Sequence, residues 1–328
     1  MNTTDYLYLS AYLRAKEASL LRRERLERMA AAPNAAEAAR VLAECGYPEL
    51  ENASEAELDA AFAARREAVL SDVEKLCPEK ALVEIFRLQY DYHNAKVLVK
   101  SEAAGTDTGA LLSPSGRVPP EKLAEAFRQD DWRAVPAAFA QAVREARSTL
   151  ARTSNPQRTD MGLDRAYYAE AFSLASQLSG DFCTRYLRLS ADAANLRSAV
   201  RCLRGRMDEG VLRAALIPGG DVPVGSIPRR VYAEGVAAVF TDSRLAEAAA
   251  LGQQAAEGGA LAAFERACDN ALTRFLDEAK LVGFGPEVTA AYLAALDGEI
   301  VAARMILAGK RAGVSHETLR ERLRESYV

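Results

Sequence analysis

The chain has 328 residues, enough for one large domain or two to three ordinary ones with a core of their own. Hydrophobic residues make up 49% and charged residues 27%, the balance of a soluble globular protein and too apolar for general disorder. A formal net charge of −4 excludes the basic excess behind non-specific nucleic-acid binding. The five cysteines, Cys45, Cys77, Cys183, Cys202 and Cys268, are scattered and never form a C-x-x-C pair, which reads as reduced thiols of a cytoplasmic protein, with no zinc site built from cysteines.

The amino terminus has no basic region followed by an apolar run, so no signal peptide is expected. Charged residues interrupt every stretch that approaches the roughly 18 to 20 apolar residues of a bilayer span. Apolar positions recur three and four apart almost throughout, in an Ala-, Leu-, Glu- and Arg-rich background, which predicts an all-α protein. The first helix is expected over about 5–29, with Tyr6, Leu9, Leu13, Leu20 and Leu21 on one face and Pro33 as the stop. Asn34 with Glu37 and Ser54 with Glu57 have capping-box spacing and predict helices ending near Cys45 and before Pro78. A long helix follows from Glu79 to about Ala104, closed by Gly105 and a polar loop reaching Pro119. Further helices are predicted at about 121–128, 135–151, 161–179, 181–204, 208–216, 228–250, 259–281, 286–308 and 315–326, with the clearest loops at 153–160 and 218–227. Pro119 and Pro223 argue against strands at Val118 and Val222.

The chain repeats itself. Asp91, Asn94, Lys96 and Lys100 match Asp192, Asn195, Arg197 and Arg201 at a constant offset of 101 residues, so D-x-x-N-x-[KR]-x-x-x-[KR] occurs twice. Each copy is followed by P-x-G-x-V-P, at Pro114–Pro119 and at Pro218–Pro223. A weaker third copy places Glu299 and Arg304 at the Asp91 and Lys96 positions, with Ala302 replacing the asparagine; Val314, Ser315, Glu317 and Leu319 then echo Val118, Pro119, Glu121 and Leu123. Three copies predict three similar helical units, at 1–118 with the amino-terminal helix, 119–222 and 223–328, around a pseudo-threefold axis or along an arc.

Catalytic signatures are missing from the sequence. Neither His93 nor His316 has a glutamate three residues before it, which excludes the Glu-x-x-His geometry of a di-iron bundle. No phosphate-binding glycine loop exists, and Gly283-Phe-Gly285 fails the dinucleotide spacing. Asp130 and Asp131 lack the further aspartates of a prenyl-diphosphate site, and no G-x-S-x-G or Cys-His nucleophile pattern occurs. No cofactor, metal or directly bound nucleotide is expected.

Polar residues on the repeat helices carry two readings. Asp91 and Asn94, and with them Asp192 and Asn195, either hydrogen-bond to a neighbouring helix and fix the unit's register or contact a partner, since burial without a bond costs about 1–3 kcal/mol each. Arg197, Arg201 and Arg204 form an i, i+4, i+7 row near a helix carboxyl end, either a solvated face matched to the helix dipole or a seat for an acidic partner extended by Arg185 and Arg188. His93 reads as a solvated or core-edge histidine, and Trp132 as a packing residue.

With the opening Y-x-Y-x-x-A-Y-x-R-A-K-E-A-x-L-L from Tyr6, the helix at Gln89 to Lys100, the L-x-P-x-G-x-V-P loop at Leu112–Pro119, its echo at Ile217–Pro223, D-x-x-N-L-R at Asp192–Arg197 and the closing E-x-x-x-x-R at Glu299–Arg304, the chain resembles the C subunit of bacterial and archaeal V-type ATPases. That protein is similar to the d subunit of the eukaryotic machines. Tyr12 and Ala95 depart from the family pattern, where arginine and leucine are usual. The resemblance implies an all-α funnel of three units, peripheral on the cytoplasmic face of the membrane. Its partners would be the central stalk subunits and the membrane rotor ring, with no nucleic acid. The protein would be non-enzymatic, transmitting rotation in proton or sodium transport coupled to ATP. In that setting Lys96, Arg197, Arg201 and Arg304 are the expected interface cations. The same repeat would also suit a cytoplasmic scaffold for soluble proteins.

Overall fold

The computed structural model describes residues 3–106 and 111–328. Among them there is no strand, and the all-α expectation is met. In chain order the helices are α1 (Leu7–Glu17), α2 (Arg23–Ala31), α3 (Ala35–Ala43), α4 (Glu55–Leu76), α5 (Lys80–Ala104), α6 (Pro120–Gln129), α7 (Ala137–Thr153) and α8 (Pro156–Ala175). They continue with α9 (Phe182–Arg204), α10 (Glu209–Ala215), α11 (Ile227–Glu234), α12 (Val236–Val239), α13 (Ala246–Ala256), α14 (Leu261–Leu276), α15 (Pro286–Arg311) and α16 (His316–Arg322). Short 3-10 turns at Thr3–Tyr6 and Asp277–Leu281 precede α1 and follow α14. Part of the expected loop before Pro119, at 107–110, lies outside the described residues.

The chain forms two compact units, one from Met1–Pro78 with Ala260–Val328, the other from Glu79–Gly259. In the first, α15 packs against α1, α2, α3 and α4. Val288, Tyr292, Leu296, Ile300, Ala303 and Leu307 recur at helical spacing along its buried face. Tyr47 meets Phe62 edge to face at 5.6 Å. In the second unit α8 packs against α5, α7 and α9. Tyr92 stands edge-on to Phe139 at 5.1 Å and to Tyr167 at 5.9 Å, and Tyr168 packs with Ala191 and Ile217.

The capping signals fold as local chemistry requires. Asn34 accepts from the Glu37 amide, and Ser54 and Glu57 exchange bonds in a full capping box. Two helix expectations and one loop expectation are corrected. The segment over 5–29 breaks between Glu17 and Arg23, because the Leu21 amide donates to Glu299 Oε2 at 2.6 Å while Leu20 and Leu21 stay buried. The helix over 228–250 breaks at Gly235, whose φ of 87° ends the ladder and whose following amide, Val236 N, donates to Gln253 Oε1 at 3.0 Å. The loop at 153–160 shrinks to Ser154 and Asn155: the Asn155 side chain accepts from the amides of Gln157 and Arg158, and Pro156 occupies the first helical position.

Candidate functional site

Asp91 and Asn94 are fully buried on α5, and their partner is the loop of their own repeat, which corrects the expected bond to a neighbouring helix. Asn94 Nδ2 donates to Ser113 O at 2.9 Å and Asn94 Oδ1 accepts from Ser113 N at 2.7 Å, so one amide side chain pairs with a whole backbone unit. Asp91 Oδ1 accepts from Val118 N at 3.1 Å, and Oδ2 accepts from Arg117 Nε at 2.7 Å. Arg117 reaches on to Glu170 of α8 at 2.8 Å, and Glu170 accepts from the Tyr92 hydroxyl at 3.0 Å.

The second copy repeats the clamp on α9. Asn195 Nδ2 donates to Ile217 O at 2.8 Å and Oδ1 accepts from Ile217 N at 2.7 Å; Asp192 accepts from Asp221 N at 2.8 Å and from Val222 N at 3.3 Å. The repeated glycine of P-x-G-x-V-P now has a reason: a Cβ at Gly116 would overlap Asp91 Oδ1, and one at Gly220 would overlap Asp192 Oδ1. The copies differ in charge. Asp221 stands where the first loop has Arg117, so Asp192 has backbone donors and a like charge close by. Burial, with Asp221 adding to it against the backbone bonds, pushes the Asp192 carboxyl up to about 6. Burial also raises the Asp91 carboxyl, with Arg117 opposing it.

The third copy uses its acid differently. Glu299 on α15 accepts from Leu21 N through Oε2 and from the Tyr47 hydroxyl through Oε1 at 2.7 Å, so it holds the chain between α1 and α2. Burial raises its carboxyl, with both bonds opposing.

Of the four expected interface cations, Lys96 is half-buried and its Nζ lies 2.5 Å from Asp164 Oδ1 on α8. Arg304 is exposed, and its Nε donates to Asp59 Oδ1 at 2.8 Å. Arg197 is half-buried, its charge acting on Tyr168, and Arg201 is exposed one turn later. The structure brings Lys96, Arg197 and Arg201 into the second unit and Arg304 into the first. Sequence reasoning missed Arg117, Glu170, Asp164 and Asp59; only Arg117 carried a signal, as one of the two variable positions inside the repeated hexapeptide. His93 Nε2 lies 3.2 Å from Leu111 O, and Trp132 is buried with its indole N–H donating to Asp130 at 2.8 Å. Among the described residues no group of three or more His, Cys, Asp or Glu is placed to hold a metal, and no helix is long and apolar enough to cross a membrane.

The model of the family described as ATP synthase (C/AC39) subunit matches residues 9–322. The chain is 24% identical over 327 residues to the C subunit of the V-type sodium ATPase of Enterococcus hirae, covering 98% of this chain and 99% of the relative. It is 26% identical over 208 residues to the C subunit of the V-type ATP synthase of Thermus thermophilus, covering 60% of this chain and 63% of the relative, with the same figures for a second strain of that species.

Proposed function

The chain belongs to the ATP synthase (C/AC39) subunit family, and from that premise we propose that it is the non-catalytic central-rotor adaptor of a V-type rotary ATPase or ATP synthase. It joins the central stalk to the membrane rotor ring and transmits torque between ATP chemistry and the transport of protons or sodium ions. It sits peripherally on the cytoplasmic face of the membrane. Its three sequence repeats, at 1–118, 119–222 and 223–328, form the walls of a funnel with pseudo-threefold symmetry. The observation that carries this reading is the end-to-end match to a V-type C subunit, 98% of this chain against 99% of the relative.

The clamps support a mechanical role. A torque-bearing part must resist shear, and in two copies a buried asparagine and aspartate bind successive backbone groups of the following loop, which removes the loop's freedom to slide along its helix. Contacts with stalk and ring of this kind need more than about 2,000 Å² of buried area, with arranged charges setting the register. Arg197 and Arg201 are the first candidates to meet acidic or carbonyl-rich ends of the partners, followed by Lys96 and Arg304.

The test is co-purification of the tagged full chain with its co-expressed stalk and ring subunits. Wild type is expected to retain both, and R197E/R201E to lose most of the retained stalk or ring while its circular dichroism and melting temperature stay near wild type. Normal retention by the folded variant rejects the assignment of these arginines. A wild-type chain that retains soluble proteins but neither stalk nor ring favours the scaffold reading.

A further inference from the structure

The three repeat helices end at equivalent positions. Fourteen residues after each repeat acid the backbone turns left-handed, at Gly105 (φ 64°) after Asp91, at Arg206 (φ 52°) after Asp192 and at Gly313 (φ 71°) after Glu299. Glycine is favoured there because it has no Cβ to strain the turn. In the second copy Arg206 N donates to Leu203 O at 3.0 Å and Met207 N to Cys202 O at 2.9 Å, the bonding of a Schellman motif with an arginine at its left-handed residue. Gly205 lies one position early, at φ −81°, where glycine confers no such advantage. In one repeat of three the left-handed position thus carries a side chain with a Cβ, and that side chain is a long cation.

Arg206 and Arg229 are exposed, and no hydrogen bond or ion pair engages either guanidinium among the described residues. Arg229 lies three residues before Tyr232 on α11, hence on the same face, and the Tyr232 hydroxyl donates to Met207 O, which brings that face to the end of α9. Arg204 is held there by donating to Ala255 O at 2.9 Å and Gly259 O at 2.7 Å, and Arg201 is exposed one turn earlier. The local acids are occupied: Asp208 caps α10 by accepting from Val211 N at 3.0 Å, and Glu209 pairs with Arg213. Met207 and Tyr232 are 37% and 40% exposed, so large side chains stand among the arginines. Arginine, tyrosine and methionine together are the residue types that protein interfaces enrich.

We propose that Arg201, Arg204, Arg206, Met207, Arg229 and Tyr232 form a docking surface for an acidic polypeptide face. The excess of positive charge selects the partner's sign, and the exposed tyrosine and methionine supply the area that a purely electrostatic contact lacks. The identity of that partner as the central stalk rests on the rotor-adaptor reading.

The experiment uses the tagged full chain co-expressed with its stalk and ring subunits, as wild type and as R206G, R229A and R206G/R229A. Restoring glycine at the left-handed position is expected to raise the melting temperature by about 2 °C. The double variant is expected to retain the stalk on the order of tenfold less, and wild-type retention is expected to fall as salt rises from roughly 0.05 to 0.5 M. Equal stalk retention by wild type and R206G/R229A overturns the docking surface and leaves the rotor-adaptor reading standing. A wild-type chain that retains neither stalk nor ring overturns that reading, and the partner assigned here with it. Sedimentation with phosphatidylglycerol vesicles by wild type but not by R206G/R229A makes a lipid headgroup the occupant and overturns the polypeptide.

Discussion

The clamps of α5 and α9 do the same backbone work with different electrostatics. Asn94 and Asn195 bind their loops through nearly identical pairs of hydrogen bonds, yet Asp91 has a guanidinium from Arg117 while Asp192 has the carboxylate of Asp221 nearby. In the first copy the loop supplies a buried ion pair that continues to Glu170; in the second the loop's own charge faces outward, 3.3 Å from Arg188. Geometry is thus the shared property of the repeat. Charge is where the copies have diverged.

The largest effect is expected at Asp91. D91A leaves Val118 N unbonded and Arg117 with Glu170 as its close remaining partner, a loss of about 3–5 kcal/mol, whereas D192A strands only neutral amides and costs about 1–3 kcal/mol. Urea denaturation of the two variants side by side measures the difference, and equal losses would show that the Arg117 pair adds nothing. Next come the glycines. G116A and G220A force the same overlap on the repeat acid, at about 1–3 kcal/mol each, with G220A the worse because its overlap with the carboxyl is deeper. The smallest effect, and the sharpest, is D192N. The Asp192 carboxyl titrates near 6 when folded against an ordinary 3.8, so its contribution to stability is full below about 4 and is lost as pH rises through 6. The asparagine keeps an acceptor for the loop amides and cannot ionise. Denaturation free energies at pH 4 and pH 7 are expected to differ less for D192N than for wild type, the remaining slope coming from Asp91 and Glu299, which burial also raises.

What could be read from the sequence was local or repeated. Asn34 with Glu37 and Ser54 with Glu57 lie within one helical turn of each other, and both caps form as their spacing implies. The D-x-x-N and P-x-G-x-V-P elements were visible because they recur, although recurrence alone did not show that one grips the other. The helix breaks were hidden because their causes are distant: the break before Arg23 is held by Glu299, and the break at Gly235 by Gln253. The same holds for the expected interface cations. Lys96 and Arg304 find Asp164 and Asp59 on other helices, pairings that no pattern along one helix reveals. Arg206 drew no reading from the sequence, because a left-handed backbone at a non-glycine residue leaves no pattern there; only the structure places it at the position of Gly105 and Gly313.

One compact unit draws on both ends of the chain while the other is continuous. During synthesis the continuous one can mature as soon as it clears the ribosome, but the early helices must wait for α15 to emerge before Glu299 can seal the turn between α1 and α2. A nascent chain halted anywhere before that helix leaves the Leu21 amide without its carboxylate. Any product that stops short of α15 therefore lacks the acid that fixes this turn, whatever the state of its continuous unit.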